Sequence, residues 1–326
     1  MNVVMIVPTG IGCEIGGHCG DGNAPARLLG ACCDNLVLHP NVVNASDINE
    51  MPANALYVEG NHLDRFLQGK LFLRKVRSNK VLVVVNKADY QSINAVSAAR
   101  ATIGLDAEIL ELKAPLKLLA RMENGVATGD VINWKELVEQ VKDLDYDALG
   151  IATPITISNE ALSAYWRTGG VNPVGGVEAL ATRLIGEALD KPCAHGPVDY
   201  ALTGFKEVVD PRIAVEIITE NFVHCLLKGL HKAPRLSKQS GMSYQDIDCM
   251  VSPYGCFGVP HQACLDAKIP VIVVRENKSC LNVPENPKFI YVENYIEAAG
   301  MIMALKAGVH PSTVRRPLAY TTVRRG

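Results

Sequence analysis

Short unbroken apolar runs recur along the chain, and between them lie longer stretches in which apolar positions return every three to four residues. Runs of that kind mark strands buried on both faces, so the pattern predicts an α/β fold, a mostly parallel sheet flanked by helices. The strands are predicted over Val3 to Val7, Asn35 to Leu38, Ala55 to Val58, Val81 to Val85, Ala107 to Leu110 and Ala148 to Ala152, and later over Cys249 to Ser252, Pro270 to Val274 and Phe289 to Val292. Helices are predicted over Tyr90 to Thr102, Trp134 to Leu144, Gly176 to Leu189 and Tyr295 to Ala307. A longer one is expected over Pro211 to Leu230, where Ile213, Ile217, Phe222, Leu226 and Leu230 keep near-helical spacing behind an Asp210-Pro211 start. Three portions follow: an α/β domain over 1–152, a helix-rich insertion or second lobe over 153–245, and an α/β portion over 246–326 that completes the sheet. No solenoid period and no low-complexity tract interrupts them.

Composition narrows the class. The 326 residues are 48% hydrophobic and 20% charged, which excludes disorder and leaves enough chain for a core without disulfide or metal staples. A formal net charge of −2, from 32 basic and 34 acidic side chains, provides no field for a nucleic acid. No apolar run approaches the roughly twenty residues that span a bilayer, and Met1 to Pro8 reads as a first strand rather than a signal peptide. Ten scattered cysteines read as reduced thiols and place the protein in the cytoplasm. The partner expected is a small-molecule substrate, without nucleic acid or membrane, and homo-oligomerisation stays open.

The chemistry concentrates at predicted strand ends. After the first strand, Pro8 to Gly22 carries glycines at 10, 12, 16, 17, 20 and 22, together with Cys13, His18, Cys19 and Asp21. Glycines there let a backbone approach a ligand closely and point N–H groups at an anion. Gly10, Gly12 and Gly16 imitate a dinucleotide fingerprint, but Gly16 to Gly22 is too glycine-rich to open a helix, and the second strand ends in Leu38-His39-Pro40 instead of an acid. Asn86-Lys87-Ala88-Asp89 looks like a guanine-recognising loop, yet no phosphate loop precedes it; it reads as a strand-to-helix turn with Asp89 at the helix start. Gly169 to Glu178 opens another helix behind paired glycines, and Cys193 and His195 share one face of an extended stretch.

An internal echo links the two ends of the chain. Met5-Ile6-Val7-Pro8-Thr9-Gly10 and Met250-Val251-Ser252-Pro253-Tyr254-Gly255 both leave a strand through Pro-x-Gly, with a cysteine and then a histidine following. Cys256, held in a tight turn before a predicted helix start at His261, is the candidate nucleophile or base, with His261 as its activator and Cys13 or His18 as the opposing group. Thr9, Gly10, Gly12, Gly16, Gly17 and Ser252, with Arg275 and Asn277 after a later strand, are the positions expected to hold the substrate. The cysteines, histidines and Asp21 of these loops, with Cys264, are also candidate ligands for zinc or iron, but no C-x-x-C pair supports a metal site and none is assigned.

Gly255-Cys256 followed by Pro260 resembles the second cysteine signature of the aspartate/glutamate racemase superfamily. That resemblance implies proton exchange at a substrate α-carbon between two thiols, here Cys256 and Cys13; Phe257 and Gly258 stand where the signature has threonine and histidine. Over its whole length the chain resembles an uncharacterised bacterial family catalogued only as a domain of unknown function. Pro8 to Gly12, His39 to Asp47, Tyr57 to Gly60, Asn172 to Glu178 and His224 to Leu230 carry that likeness, which implies no activity. The sequence thus predicts a small-molecule enzyme using thiol and imidazole chemistry on a carboxylate-, amide- or amino-acid-like metabolite, of racemase, lyase or hydrolase type. No motif demands a cofactor. A nicotinamide- or nucleotide-dependent enzyme using the Gly10 to Gly16 loop, and a metabolite- or metal-binding protein without turnover, remain as alternatives.

Overall fold

The computed structural model describes residues 1–18, 20–44, 50–198 and 222–325. In chain order its elements begin with β1 (Asn2–Met5), α1 (Asn23–Cys32), β2 (Asn35–Leu38), α2 (Pro40–Val43), β3 (Ala55–Tyr57), α3 (Gly60–Leu67), β4 (Phe72–Arg74) and β5 (Lys80–Val85). Then come α4 (Tyr90–Ile103), β6 (Asp106–Glu111), β7 (Lys117–Glu123), β8 (Val126–Ile132), α5 (Trp134–Val141), β9 (Ala148–Ala152), β10 (Ile155–Thr156), α6 (Asn159–Thr168) and α7 (Gly175–Leu189). The chain closes with β11 (Cys193–His195), α8 (Val223–His231), β12 (Arg235–Ser237), β13 (Cys249–Tyr254), α9 (Val259–Ala267), β14 (Val271–Lys278), β15 (Ile290–Val292) and α10 (Tyr295–Lys306). Of the helix expected over 211–230, the part up to residue 221 lies outside the described residues; α8 begins at Val223, with Phe222 as its N-cap.

The predicted strands divide between two parallel sheets. The larger has six strands in the order β15-β14-β13-β1-β2-β3, and a four-stranded sheet runs β11-β9-β5-β6. All pairs in both are parallel. Parallel pairing requires a covering layer on each face, which is why these strands read as unbroken apolar runs. Alternate residues nevertheless sort by face. Val3, Met5 and Val7 join a cluster with Ala26 and Leu29 of α1 and Ala298 and Ile302 of α10. Val4 and Ile6 pack instead with Leu63 and Phe66 of α3 and Ala263 and Cys264 of α9. In the smaller sheet, Leu82 and Val84 face α5 and α7, while Val81, Val83 and Val85 face Val96 of α4 and Leu226 and Leu230 of α8.

Residues 117–132, which show no strand run, form the antiparallel hairpin β7–β8, turned by Asn124 and Gly125 at φ 52° and 79°. Two adjacent positive-φ residues are what a two-residue hairpin needs, and Asn-Gly supplies them. Asp89 caps α4 by accepting the Ser92 N–H at 2.7 Å, and Asn86 is bonded to both backbone groups of Leu116, so Asn86 to Asp89 is a turn, as its sequence suggested.

β1 lies at the centre of the large sheet, with β2 and β3 on one side and β13 to β15 on the other. The strand order reverses between β1 and β13, and the loops leaving those two strands diverge. In open α/β sheets that reversal, at the carboxyl ends of the strands, is where a ligand crevice opens.

Candidate functional site

A cavity of about 420 Å³ occupies this position. Ile6, Pro8, Thr9 and Ile11 line it from the end of β1, His39 from β2, Glu59 from β3 and Cys256 and His261 from β13 and α9. Glu178, Thr182 and Arg183 of α7 and His195 of β11 add to a polar wall that also includes Asn41, Asn44, Asn61 and Asp64. The two echoing loops therefore open on one cavity, and Gly10 and Gly255 share the left-handed conformation, at φ 74° and 81°.

Cys256 is placed by a defect in the sheet. Pro253 cannot donate to a ladder and sits where the β13–β14 register slips, Tyr254 pairing with Lys278 directly after Pro253 pairs with Val274. The chain then turns through Gly255. The Cys256 sulfur lies 3.3 Å from the Pro253 carbonyl and 3.6 Å from Ser252 Oγ, and Ser252 Oγ lies 2.7 Å from His261 Nε2. His261 Nδ1 accepts the Gly258 N–H at 3.1 Å, the N3-to-N-cap half of a capping box. With Nδ1 accepting, the neutral ring carries its proton on Nε2 and donates it to Ser252. The Ser252 hydroxyl then has two acceptors within reach, the Pro253 carbonyl at 3.3 Å and the Cys256 sulfur at 3.6 Å, while the thiol at rest donates to that same carbonyl. Burial pushes the His261 imidazole down to about 4 and the Cys256 thiol up, the Ser252 bond acting to lower the thiol again. The expected role of His261 needs correction: its Nε2 does not reach the thiol as a base but bonds to the Ser252 hydroxyl that lies between them. Phe257 stacks on its ring at 5.5 Å and Phe289 lies tilted beside it at 5.9 Å.

Several expected residues have other occupations. Asn277 spends its amide on Ile15 N–H, Ile15 C=O and the Tyr295 hydroxyl, fixing the glycine-rich loop from outside the cavity. Arg275 pairs on the surface with Glu285 and Glu293 and lies over Tyr291. Cys13 is fully buried, its thiol toward the Pro8 carbonyl at 3.7 Å, and burial, followed by the neighbouring Cys256, pushes it well up. His18 is buried against Asp21 and stacked on Tyr165. Neither Cys13 nor His18 lines the cavity, so the two thiols do not face each other across it.

The glycines of the loop serve packing. A Cβ on Gly10 would meet the Ala127 carbonyl and Gly176 N at 3.2 Å, on Gly12 Val171 at 2.9 Å, on Gly16 Val7 at 3.1 Å and on Gly17 the Cys13 carbonyl at 2.1 Å. Close approach is thus to the chain's own atoms, main chain at Gly10 and Gly17 and valine side chains at Gly12 and Gly16. Thr9, Cys256 and His261 remain at the cavity wall, with Ser252 behind them. Among the described residues no three His, Cys, Asp or Glu side chains gather for a metal ion; Cys19 lies outside them.

Sequence reasoning assigned no role to the carboxyls. Glu59, 4% exposed, caps α3 through the His62 N–H at 3.1 Å, and burial raises its carboxyl to about 7. His62 donates from Nε2 to the Gly186 carbonyl at 3.1 Å, which leaves an unprotonated Nδ1 facing Glu59 at 3.6 Å. Asp64, one turn along α3, is raised to about 6 by burial, with Arg183 opposing. Arg183 makes no hydrogen bond or ion pair among the described residues. Glu178 Oε1 lies 2.8 Å from His195 Nδ1. The available signal was an acid one residue past a strand or in the first turn of a glycine-opened helix, as in Val58-Glu59-Gly60 and Gly176-Val177-Glu178.

An uncharacterized lipoprotein of Synechococcus sp. is 31% identical over 341 residues, covering 97% of this chain and 95% of its own. A relative of that name and coverage overturns the cytoplasmic expectation. Among the described residues no helix is long and apolar enough to cross a membrane. No solved structure matches the chain. The profile of the family described as "Protein of unknown function (DUF3326)" matches residues 2–315, and the chain belongs to that family.

Proposed function

We propose that this protein is a small-molecule enzyme whose reacting group is the Cys256 thiol, acting on a carboxylate-, amide- or amino-acid-like metabolite. The observation that carries this reading is the hydrogen-bonded series Gly258, His261, Ser252, whose hydroxyl lies 3.6 Å from the Cys256 sulfur and can donate to it as thiolate, on the wall of a cavity large enough for a metabolite. A thiolate in a dry site is stabilised by donors already aimed at it, and a thiolate is the reactive form of cysteine. Arg183, at the same cavity and near the raised carboxyls of Glu59 and Asp64 but in no hydrogen bond or ion pair among the described residues, supplies the cation for a substrate carboxylate. The glycine-rich loop gives a nucleotide reading no support, because the protein's own main-chain and valine side-chain atoms fill the space beside its glycines.

Iodoacetate, a thiol reagent that carries a carboxylate, tests this directly when its sites are mapped by peptide mass spectrometry. Cys256 is expected to be alkylated well ahead of the buried Cys13, Cys249 and Cys264, and Ser252→Ala to slow it by at least about tenfold. Alkylation of Cys256 no faster than of Cys249 would overturn the proposal. So would turnover, in an NMR screen of small carboxylates, amides and amino acids, that survives Cys256→Ala at full rate.

A further inference from the structure

Glu178 enters the cavity from α7, and its side chain, 20% exposed, presents Oε2 while Oε1 is held at 2.8 Å by Nδ1 of His195. The His195 ring is itself buried, with a side-chain exposure of 1%. Its Nε2 lies 3.1 Å from the Thr153 carbonyl and 3.2 Å from the Thr153 hydroxyl. A carbonyl oxygen only accepts, so the bond to it puts a proton on Nε2, whereas a bare Nε2 would accept from the Thr153 hydroxyl alone. With Nε2 bonded to the carbonyl, a second proton lies between Nδ1 and Oε1, and its way to the cavity is the other oxygen of Glu178. Thr153 is fully buried and outside the cavity wall, and as acceptor from the ring it is no nucleophile.

We infer that Glu178 is the proton donor and acceptor of the cavity, with His195 as the positioning residue that stores its proton, and that the reaction served is cleavage of an acyl carbon–nitrogen bond. This rests on the reading of Cys256 as the reacting thiol. The Cys256 thiol first loses its proton to solvent and, as thiolate, attacks the amide carbonyl; the S–C bond forms and the C–N bond breaks. The departing nitrogen cannot leave as an anion and takes the proton from the Glu178–His195 pair. Water then attacks the thioester, Glu178 takes the proton of that water, and the acid leaves with Cys256 returned as thiolate. The sum is amide plus water to acid plus amine, with both groups restored. The substrate class is therefore a small amide, its acid portion within reach of Arg183.

Two probes separate nucleophile from proton donor. p-Nitrophenyl acetate loses p-nitrophenolate, which needs no proton, whereas p-nitroacetanilide loses an amine that does. Both are expected to acylate Cys256, as located by peptide mass, and Cys256→Ala to abolish both. Glu178→Gln is expected to slow anilide cleavage at least about 100-fold more than the ester burst, the size of a general-acid contribution. His195→Gln should shift the ratio in the same direction. Equal slowing of the two probes, or no release of p-nitroaniline by the wild type, would overturn the role of Glu178; absence of the ester burst would overturn the thiol reading instead. A second measurement needs no turnover. In ¹⁵N spectra His195 is expected to show a protonated Nε2 with Nδ1 in a strong hydrogen bond, the latter changing in Glu178→Gln, and a wild-type Nε2 with the shift of a bare ring nitrogen refutes proton storage.

Discussion

The Gly258 N–H reaches Nδ1 of His261 at 3.1 Å, and that bond decides which nitrogen holds the proton. Protonating the ring would sacrifice the bond and place a charge where burial already holds the imidazole down to about 4. In the unfolded chain the same histidine titrates near 6.5. As pH falls from 6.5 toward 4 the unfolded state takes up a proton that the fold refuses, so the histidine's contribution to stability is lost across that window. His39 and His62 are lowered the same way, while Glu59, raised to about 7, acts in the opposite direction: the fold keeps a carboxyl proton between 7 and 4.5 that the unfolded chain releases. Comparing one variant with the wild type isolates a single group. His261→Gln is expected to destabilise at pH 7.5 through the lost acceptor, and to do so less at pH 4.5, by about 2–3 kcal/mol. Urea unfolding at both pH values measures this, and a pH-independent difference would contradict the tautomer assigned here.

Glycine carries a different meaning in each element, which pattern alone does not distinguish. At the start of α7 a Cβ on Gly176 would stand 2.0 Å from the Ala127 carbonyl of β8, and on Gly175 2.1 Å from Thr9 Oγ1. The glycine-rich loop after the first strand and the glycines that open α7 are thus one seam, where the loop after β1, the hairpin strand β8 and the first turn of α7 pack closely together. Gly300 lies in the middle of α10 with nothing within 4 Å of its Cβ position. Gly176→Ala is expected to cost more than about 2 kcal/mol, because the atom it meets is main chain and cannot yield. Gly300→Ala should raise stability by about 0.5–1 kcal/mol through helix propensity. Calorimetric melting of the two variants checks both signs, and a Gly176→Ala protein as stable as the wild type would dismiss the seam. The helices were legible because their apolar stripe and caps are local, as with Asp89. The function of the loop glycines was not, because it depends on a hairpin more than a hundred residues away whose Asn124-Gly125 turn lay between strands with few buried positions.

At the scale of the whole molecule, the large sheet is closed by the two ends of the chain, Val3 to Met5 pairing with Cys249 to Val251. Strand identity could be read from the apolar runs, and the echo even marked the two strands that meet. What the runs do not encode is partition: β5, β6 and β9 look like β1 and β2 in sequence yet form a second sheet with β11. Register between strands of equal apolarity is set by helices packed on both faces, a property of the assembled layers and of no single segment. The same assembly brings the cavity wall together from residues as distant as Thr9, Glu59, Glu178 and Cys256. One apolar cluster holds Val3 and Met5 of the large sheet together with Val81 and Val83 of the small one. Neither sheet can open without exposing this shared layer, so both are expected to unfold in one transition. The native cysteines are the probes: Cys249 is buried in the large sheet, Cys193 is buried in the small one, and Cys280 is exposed. In pulse alkylation across a urea gradient, Cys280 should label without urea, and Cys193 and Cys249 should become reactive at the same midpoint. Labelling of Cys193 at clearly lower urea than Cys249 would show that the small sheet opens on its own, and that α7, with Glu178 and Arg183, can leave the cavity while the strands bearing Cys256 stay folded.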